Sequence, residues 1–162
     1  MHEKEPMTKV TYEKLSIELE DLKTNERIKV AKEIEEARDL GDLKENAEYH
    51  AAKDKQGLME ARIVELQDLV ARAQVIDPST LAHERVSFGS TVLLVDTASD
   101  EEVVYSIVGG KESNPNEGLI SIKSPLAKVL IGKSEGDNVN IVLPSGKKNY
   151  DVEEVYYKEL EL

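Results

Sequence analysis

From Tyr49 onward, Tyr49, Ala52, Gln56, Met59, Ile63, Leu66, Val70 and Ala73 follow one another in alternating steps of three and four residues without a miss. On an α-helix such steps draw one narrow stripe, which is stable only when a second helix covers it. The spacing predicts a helix from about Asp42 to Ala73, about 48 Å long at roughly 1.5 Å per residue. Upstream, Leu15, Leu19 and Leu22 begin a similar stripe that resumes at Val30, Ile34 and Ala37, one residue out of phase with its start. A kink or short break is therefore expected near Lys23 to Glu26, where Thr24 and Asn25 are poor helix-interior residues and good caps. Two such helices joined by only a few residues must run antiparallel, each burying the stripe of the other.

After Ala73 the pattern changes. QVIDPSTLAHER holds Pro78 and several turn formers and reads as a linker. Beyond it, TVLLVD, EEVVYSIV, GLISIK, NVNIVL and KNYDVEEVYY are short β-branched runs parted by turn signals. SPLAKVLIGK differs: a serine cap, a proline at the first helical position and a glycine stop predict a short helix. The expected class is α+β, with a coiled-coil hairpin over residues 1–77 and, over 78–162, a small antiparallel sheet with one helix packed on it.

Composition narrows the chemistry. There are no cysteines among the 162 residues, so disulfides and thiolate metal sites are impossible, which suits a cytoplasmic protein. No apolar run approaches the roughly 20 residues that span a bilayer, and MHEKEPMTKV lacks the apolar stretch of a signal peptide, so no membrane partner is expected. The net charge is -12, shared equally: 13 basic against 19 acidic residues up to Asp77, then 8 against 14. Broad neutralisation of a phosphate backbone needs clustered Lys and Arg, so any nucleic-acid contact must be local or delegated to a partner. His2, His50 and His83 are scattered without metal-ligand spacing, and neither a phosphate loop nor a nucleophile elbow is present.

The bend between the helices, LGDLKENAEYHAAKD, has two readings. Structurally, Gly41 ends the first helix, Asp42 caps the second and Glu45 completes a capping box. Chemically, carboxylates at the end of a long hairpin suit a hard cation such as Mg²⁺, which takes one or two carboxylates and fills its other positions with water and phosphate. Asn46 lies one turn beyond Asp42, and Lys53 one heptad beyond Asn46, so an amide and an ammonium line up behind the acids as candidate RNA contacts. With Lys55 and Arg38, Lys53 makes a small basic spot suited to guiding one RNA strand, Tyr49 offering a ring to stack on. These lysines also read as ordinary solvated charges, and Tyr49 as the first residue of the seam.

ARDLGDLKENAEYHAAKDKQ closely resembles the tip of the GreA-type transcript cleavage factors of bacterial RNA polymerase. FGSTVLLVD, SDEEVVYSIVG and LISIKSPLAKVLIGK resemble that family's C-terminal domain, so the likeness extends over almost the whole chain. Lys44 stands before Glu45 where the sister GreB type usually carries serine, and the basic spot is small, which favours the GreA type. Leu40 occupies a position that is often polar or basic in the family, a departure expected to tune RNA contact.

The resemblance implies a coiled coil followed by a domain of FKBP-like shape. It further implies a monomeric factor that enters the polymerase secondary channel, where the 3′ end of backtracked nascent RNA is extruded. There Asp42 and Glu45 would hold a second Mg²⁺ jointly with RNA polymerase and orient the attacking water. None would be bound stably alone, since two carboxylates without a cage leave most coordination to water. The factor would thus stimulate hydrolysis by the polymerase rather than act as an enzyme itself. It also implies that the helix beginning at Ser124 and Pro125 lies at or near the polymerase-docking surface.

Three other readings make distinct demands. A polymerase-channel binder that regulates without cleavage would share the fold. A prolyl isomerase would use the second half, but such pockets are lined with aromatic rings, and this half has one Phe, four Tyr and no Trp. An adaptor using only its coiled coil would tolerate replacement of Asp42 and Glu45.

Overall fold

The computed structural model describes residues 3–42 and 46–162. Its elements divide into two compact units, Tyr12–Ala73 and a second formed by Glu3–Thr11 with Gln74–Leu162. This differs from the expected boundary between 77 and 78, because a short strand β1 (Glu5–Met7) belongs with the second half of the chain.

In the first unit, helix α1 (Lys9–Asp21, whose first turn lies in the other unit) passes through a π-helical turn, Leu22–Glu26, into α2 (Arg27–Arg38). The expected interruption is thus a wide turn within a continuous helix. A π turn adds one residue without breaking the backbone ladder, which accounts for the one-residue slip of the stripe. Thr24 donates its hydroxyl to the Glu20 carbonyl at 2.7 Å, and Asn25 Nδ2 donates to Asp21 Oδ1 at 2.8 Å. Such back-bonding bends helices. Helix α3 (Ala47–Arg72) is 26 residues long, about 39 Å at 1.5 Å per residue, shorter than expected because it starts after Asn46 instead of at Asp42. Val30, Ile34, Ala52, Met59 and Ile63 form its buried cluster with α2, flanked by Leu19, Leu22 and Tyr49. Leu66 and Leu69 prolong the buried stripe of α3.

Two bidentate ion pairs bridge the helices on their flanks. Arg27 donates through Nε and Nη2 to both carboxylate oxygens of Glu60, at 2.9 Å each, and Arg62 meets Glu18 in the same way at 2.8 and 2.9 Å. The Arg27 hydrogen bond holds the Glu60 carboxyl below its ordinary range, and Glu18 with Glu65 raises the Arg62 guanidinium. These partners are half exposed, a setting in which ion pairs contribute little to stability.

The second unit is built on five strands, β3 (Ser90–Asp96), β4 (Glu102–Val108), β5 (Leu119–Ser121), β6 (Asn138–Leu143) and β7 (Gly146–Tyr157), in the spatial order β5-β4-β3-β7-β6. Pairing is antiparallel except between β4 and β5, which run parallel. The sheet is therefore mixed, not purely antiparallel as expected. The stretch between β4 and β5 contains two 3₁₀ turns, Gly110–Glu112 and Pro115–Glu117, which redirect the chain. A register shift between Leu93 and Leu94 marks a bulge against β7. Helix α4 (Pro125–Leu130) packs Ala127 and Leu130, both fully buried, into a core with Val92, Leu94, Ile107, Val139, Ile141 and Val152.

Strand β1 is fixed to this unit by buried carboxylates. Lys123 Nζ donates to Glu5 Oε2 at 2.7 Å. Glu112 Oε2 accepts the hydroxyls of Thr8 and Thr11, both at 2.7 Å, and Glu112 Oε1 accepts the Gly109 N–H at 3.1 Å. Gly109 has no room for a side chain, since a Cβ there would meet the Pro6 carbonyl oxygen at 2.2 Å. Strand β1 pairs with β2 (Ala73–Val75), and the Ile76 N–H donates to the Met7 carbonyl at 2.9 Å. Among the described residues no helix is long and apolar enough to cross a membrane.

Candidate functional site at the hairpin bend

Helix α2 stops because its last carbonyls are taken up by a turn. The Leu40 N–H donates to Ala37 O at 3.2 Å and the Gly41 N–H to Arg38 O at 3.4 Å. Gly41 then adopts φ +126°, open to glycine and strained for any side chain even though nothing stands within 4 Å of a Cβ there. Asp42 follows, outside any helix and exposed. Residues 43–45 lie outside the described residues, so the expectation for Glu45 is not addressed by the geometry.

The cap expected of Asp42 belongs to Asn46. Asn46 has extended backbone angles, φ -86° and ψ 94°, and its Oδ1 accepts the Tyr49 N–H at 3.0 Å. Its Nδ2 donates to the Ala37 carbonyl oxygen across the bend. Asparagine ranks with aspartate as a cap. The turn that ends α2 runs through Leu40 and Gly41, and α3 begins only after Asn46. The available signal was the seam itself: it starts at Tyr49, the residue whose N–H an asparagine three positions earlier is placed to cap.

The small basic spot is dispersed among local partners. Arg38, the last residue of α2, lies over the Tyr49 ring, 5.9 Å from guanidinium carbon to centroid. Tyr49 is partly buried against the hairpin core and meets the His50 ring edge-on at 5.6 Å, so it serves the seam and also closes the bend. Lys55 Nζ donates to both carboxylate oxygens of Glu33 at 3.2 Å, and exposed Lys53 donates to Gln56 Oε1 at 2.9 Å. Both lysines stay at the surface, where such contacts exchange readily for others.

In the second unit, Ser124 caps α4, its Oγ accepting the Ala127 N–H at 3.2 Å, and Pro125 occupies the first turn with its ring exposed. Ser124 and Pro125 thus form the outer end of a helix whose inner face is in the core. Among the described residues no group of three or more His, Cys, Asp or Glu is gathered so as to hold a metal ion.

Both halves match known families in order. A family described as the N-terminal part of transcription elongation factors matches residues 5–75, and one described as the GreA/GreB C-terminal part matches 81–157. Transcription elongation factor GreA of Sulfurovum sp. (strain NBC37-1) is 71% identical over 160 residues, covering 99% of each chain. Its counterpart in Nautilia profundicola is 60% identical over 160 residues, covering 99% of this chain and 98% of that one. That of Helicobacter hepaticus is 56% identical over 156 residues, 96% of each. With the hairpin, the bend bearing Asp42 and the mixed sheet all inside these matches, the chain belongs to the GreA/GreB family of transcription elongation factors.

Proposed function

We propose that this elongation factor binds RNA polymerase, inserts its hairpin into the secondary channel and stimulates endonucleolytic cleavage of backtracked nascent RNA. It acts as a cytoplasmic monomer and is not itself a hydrolase: the polymerase supplies the substrate and the first metal, and the hairpin brings Asp42 and Glu45. The observation that carries this reading is that Asn46, not Asp42, caps the second helix. Asp42 is not the N-cap of α3, and it stands exposed just beyond a glycine turn.

Carboxylate oxygens are hard ligands of the kind Mg²⁺ takes, one or two at a time, so Asp42 and Glu45 fit a shared ion. What such an ion supplies when bound is a more acidic water and neutralisation of charge on the phosphodiester. Asp42 contributes negative charge and a hydrogen-bond acceptor for water. Lys53 and Lys55 at the surface, with Arg38 beside them, offer cations to RNA phosphates. Ser124 and Pro125, at the exposed end of α4, are assigned to polymerase docking.

Asp42→Asn keeps shape while deleting charge, and it leaves the helix cap untouched. In a backtracked complex at limiting Mg²⁺, apparent affinity for the ion should fall by at least the roughly 10- to 100-fold that losing an outer-shell partner costs, with polymerase binding intact. Glu45→Gln should behave alike, and excess Mg²⁺ should restore part of the rate. Wild-type cleavage by both variants would overturn the ligand reading of the two acids; no cleavage above that of polymerase alone, with the unaltered factor bound, would leave a channel binder that regulates without cleavage.

A further inference from the structure

We infer that Asn46 is a positioning residue for the acid at the bend, not an RNA contact: one side-chain amide ties the end of α2 to the start of α3 and so steadies the turn that leads into Asp42. This rests on the reading of Asp42 as a ligand.

The two ends of the amide work on different helices. Oδ1 accepts the Tyr49 N–H at the start of α3, and Nδ2 donates to the Ala37 carbonyl in the last turn of α2. A carbonyl oxygen has two lone pairs, and that of Ala37 also accepts the Leu40 N–H, which opens the turn leading to Asp42. The tie therefore shares its acceptor with the first hydrogen bond of the loop. Asp42 stands midway between Arg38 and Asn46 in sequence. Arg38 over the Tyr49 ring makes a second closure beside the first. With both groups of the amide engaged inside the hairpin, Asn46 is half-buried, and contact with RNA would first have to break one of these bonds.

Pre-organisation of this kind matters most for a weakly held ion. A loop free to sample many shapes offers its carboxylate in the productive place only part of the time, and the apparent affinity falls by that fraction. Removing one hydrogen bond of ordinary net strength corresponds to a factor of about five.

The test separates the cap from the tie. Asn46→Asp and Asn46→Ser both retain a good N-cap, and neither retains the amide donor to Ala37 O. In the full-length protein, both should keep wild-type polymerase affinity and a cooperative unfolding transition, with the folding constant lowered by no more than the same factor of about five. Both should raise the Mg²⁺ concentration for half-maximal cleavage about fivefold, with the rate at saturating Mg²⁺ nearly restored. Amide exchange at Leu40 and Gly41 should quicken in the free protein, a readout independent of cleavage. Slower cleavage at every Mg²⁺ concentration, with unchanged exchange, would make Asn46 an RNA contact and overturn the inference. Asp42→Asn run in parallel keeps the two readings apart. Wild-type cleavage in that variant overturns the ligand reading, whereas impaired cleavage there beside wild-type Mg²⁺ dependence in both Asn46 variants overturns the positioning role alone.

Discussion

In the hairpin, a buried residue such as Ile63 belongs to a stripe whose next members lie three or four positions away, and polar groups bridge the helices from outside through half-exposed pairs such as Arg27 with Glu60. In the globular unit, Val92, Ile107, Leu130 and Val152 arrive from four separate elements, and carboxylates such as Glu112 lie inside, each accepting several hydrogen bonds. One region spreads stability over many interchangeable contacts along a line. The other concentrates it where distant segments meet. Charge changes should thus matter little in the hairpin and greatly in the sheet unit, while loss of apolar volume should hurt both.

The largest effects test the shared part of that contrast. Leu130 is 0% exposed and Ile63 1%, so Leu130→Ala and Ile63→Ala should each cost about 2 to 5 kcal/mol in chemical denaturation. A much smaller loss at Ile63 alone would show that the hairpin relaxes around a cavity as the sheet unit does not.

A second pair tests the differing part. Glu112→Ala leaves two threonine hydroxyls and a backbone N–H without their acceptor and should cost about 2 to 4 kcal/mol. Glu60→Ala removes the partner of a half-exposed arginine and should leave the unfolding midpoint within experimental error. Equal losses would break the comparison.

The smallest effect concerns the π turn. Deleting Thr24 removes one residue, and Val30, Ile34 and Ala37 then continue the three-four steps that Leu15, Leu19 and Leu22 began. Circular dichroism melting should show a midpoint equal to or slightly above that of the parent. A clear drop would mean that the wide turn itself is needed for the helices to pack.

The same contrast explains what was legible in the sequence. The stripe of α3 could be read from Ala52, Met59, Ile63 and Leu66 because its spacing is local. The slip after Leu22 was visible as a fault, but its form was not: a kink, a break and a π turn share one sequence signature. At the bend, Asp42 with Glu45 satisfies the capping-box pattern as well as Asn46 satisfies a simple cap, and only the folded backbone, with the Tyr49 N–H on Asn46 Oδ1, decides for Asn46. Strand β1 was hidden because EPM carries a proline and its partner lies beyond the hairpin. The parallel pairing of β4 with β5 depends on a connection that local residues do not specify. Asn46 was named from sequence; what could not be read was that its amide bonds to both α2 and α3.

The chain order of β1 has a consequence for synthesis. Met7, 0% exposed in the finished protein, leaves the ribosome early, yet the strands that enclose the globular core follow only after the whole hairpin. At ~5–20 residues per second this is a delay of several seconds, during which α1, α2 and α3 can already pair and β1 can meet β2, but neither Glu112 nor Lys123 is there to hold it. The nascent chain can therefore complete its hairpin before its globular unit, and the first-made strand is tied down only once Glu112 and Lys123 have been made.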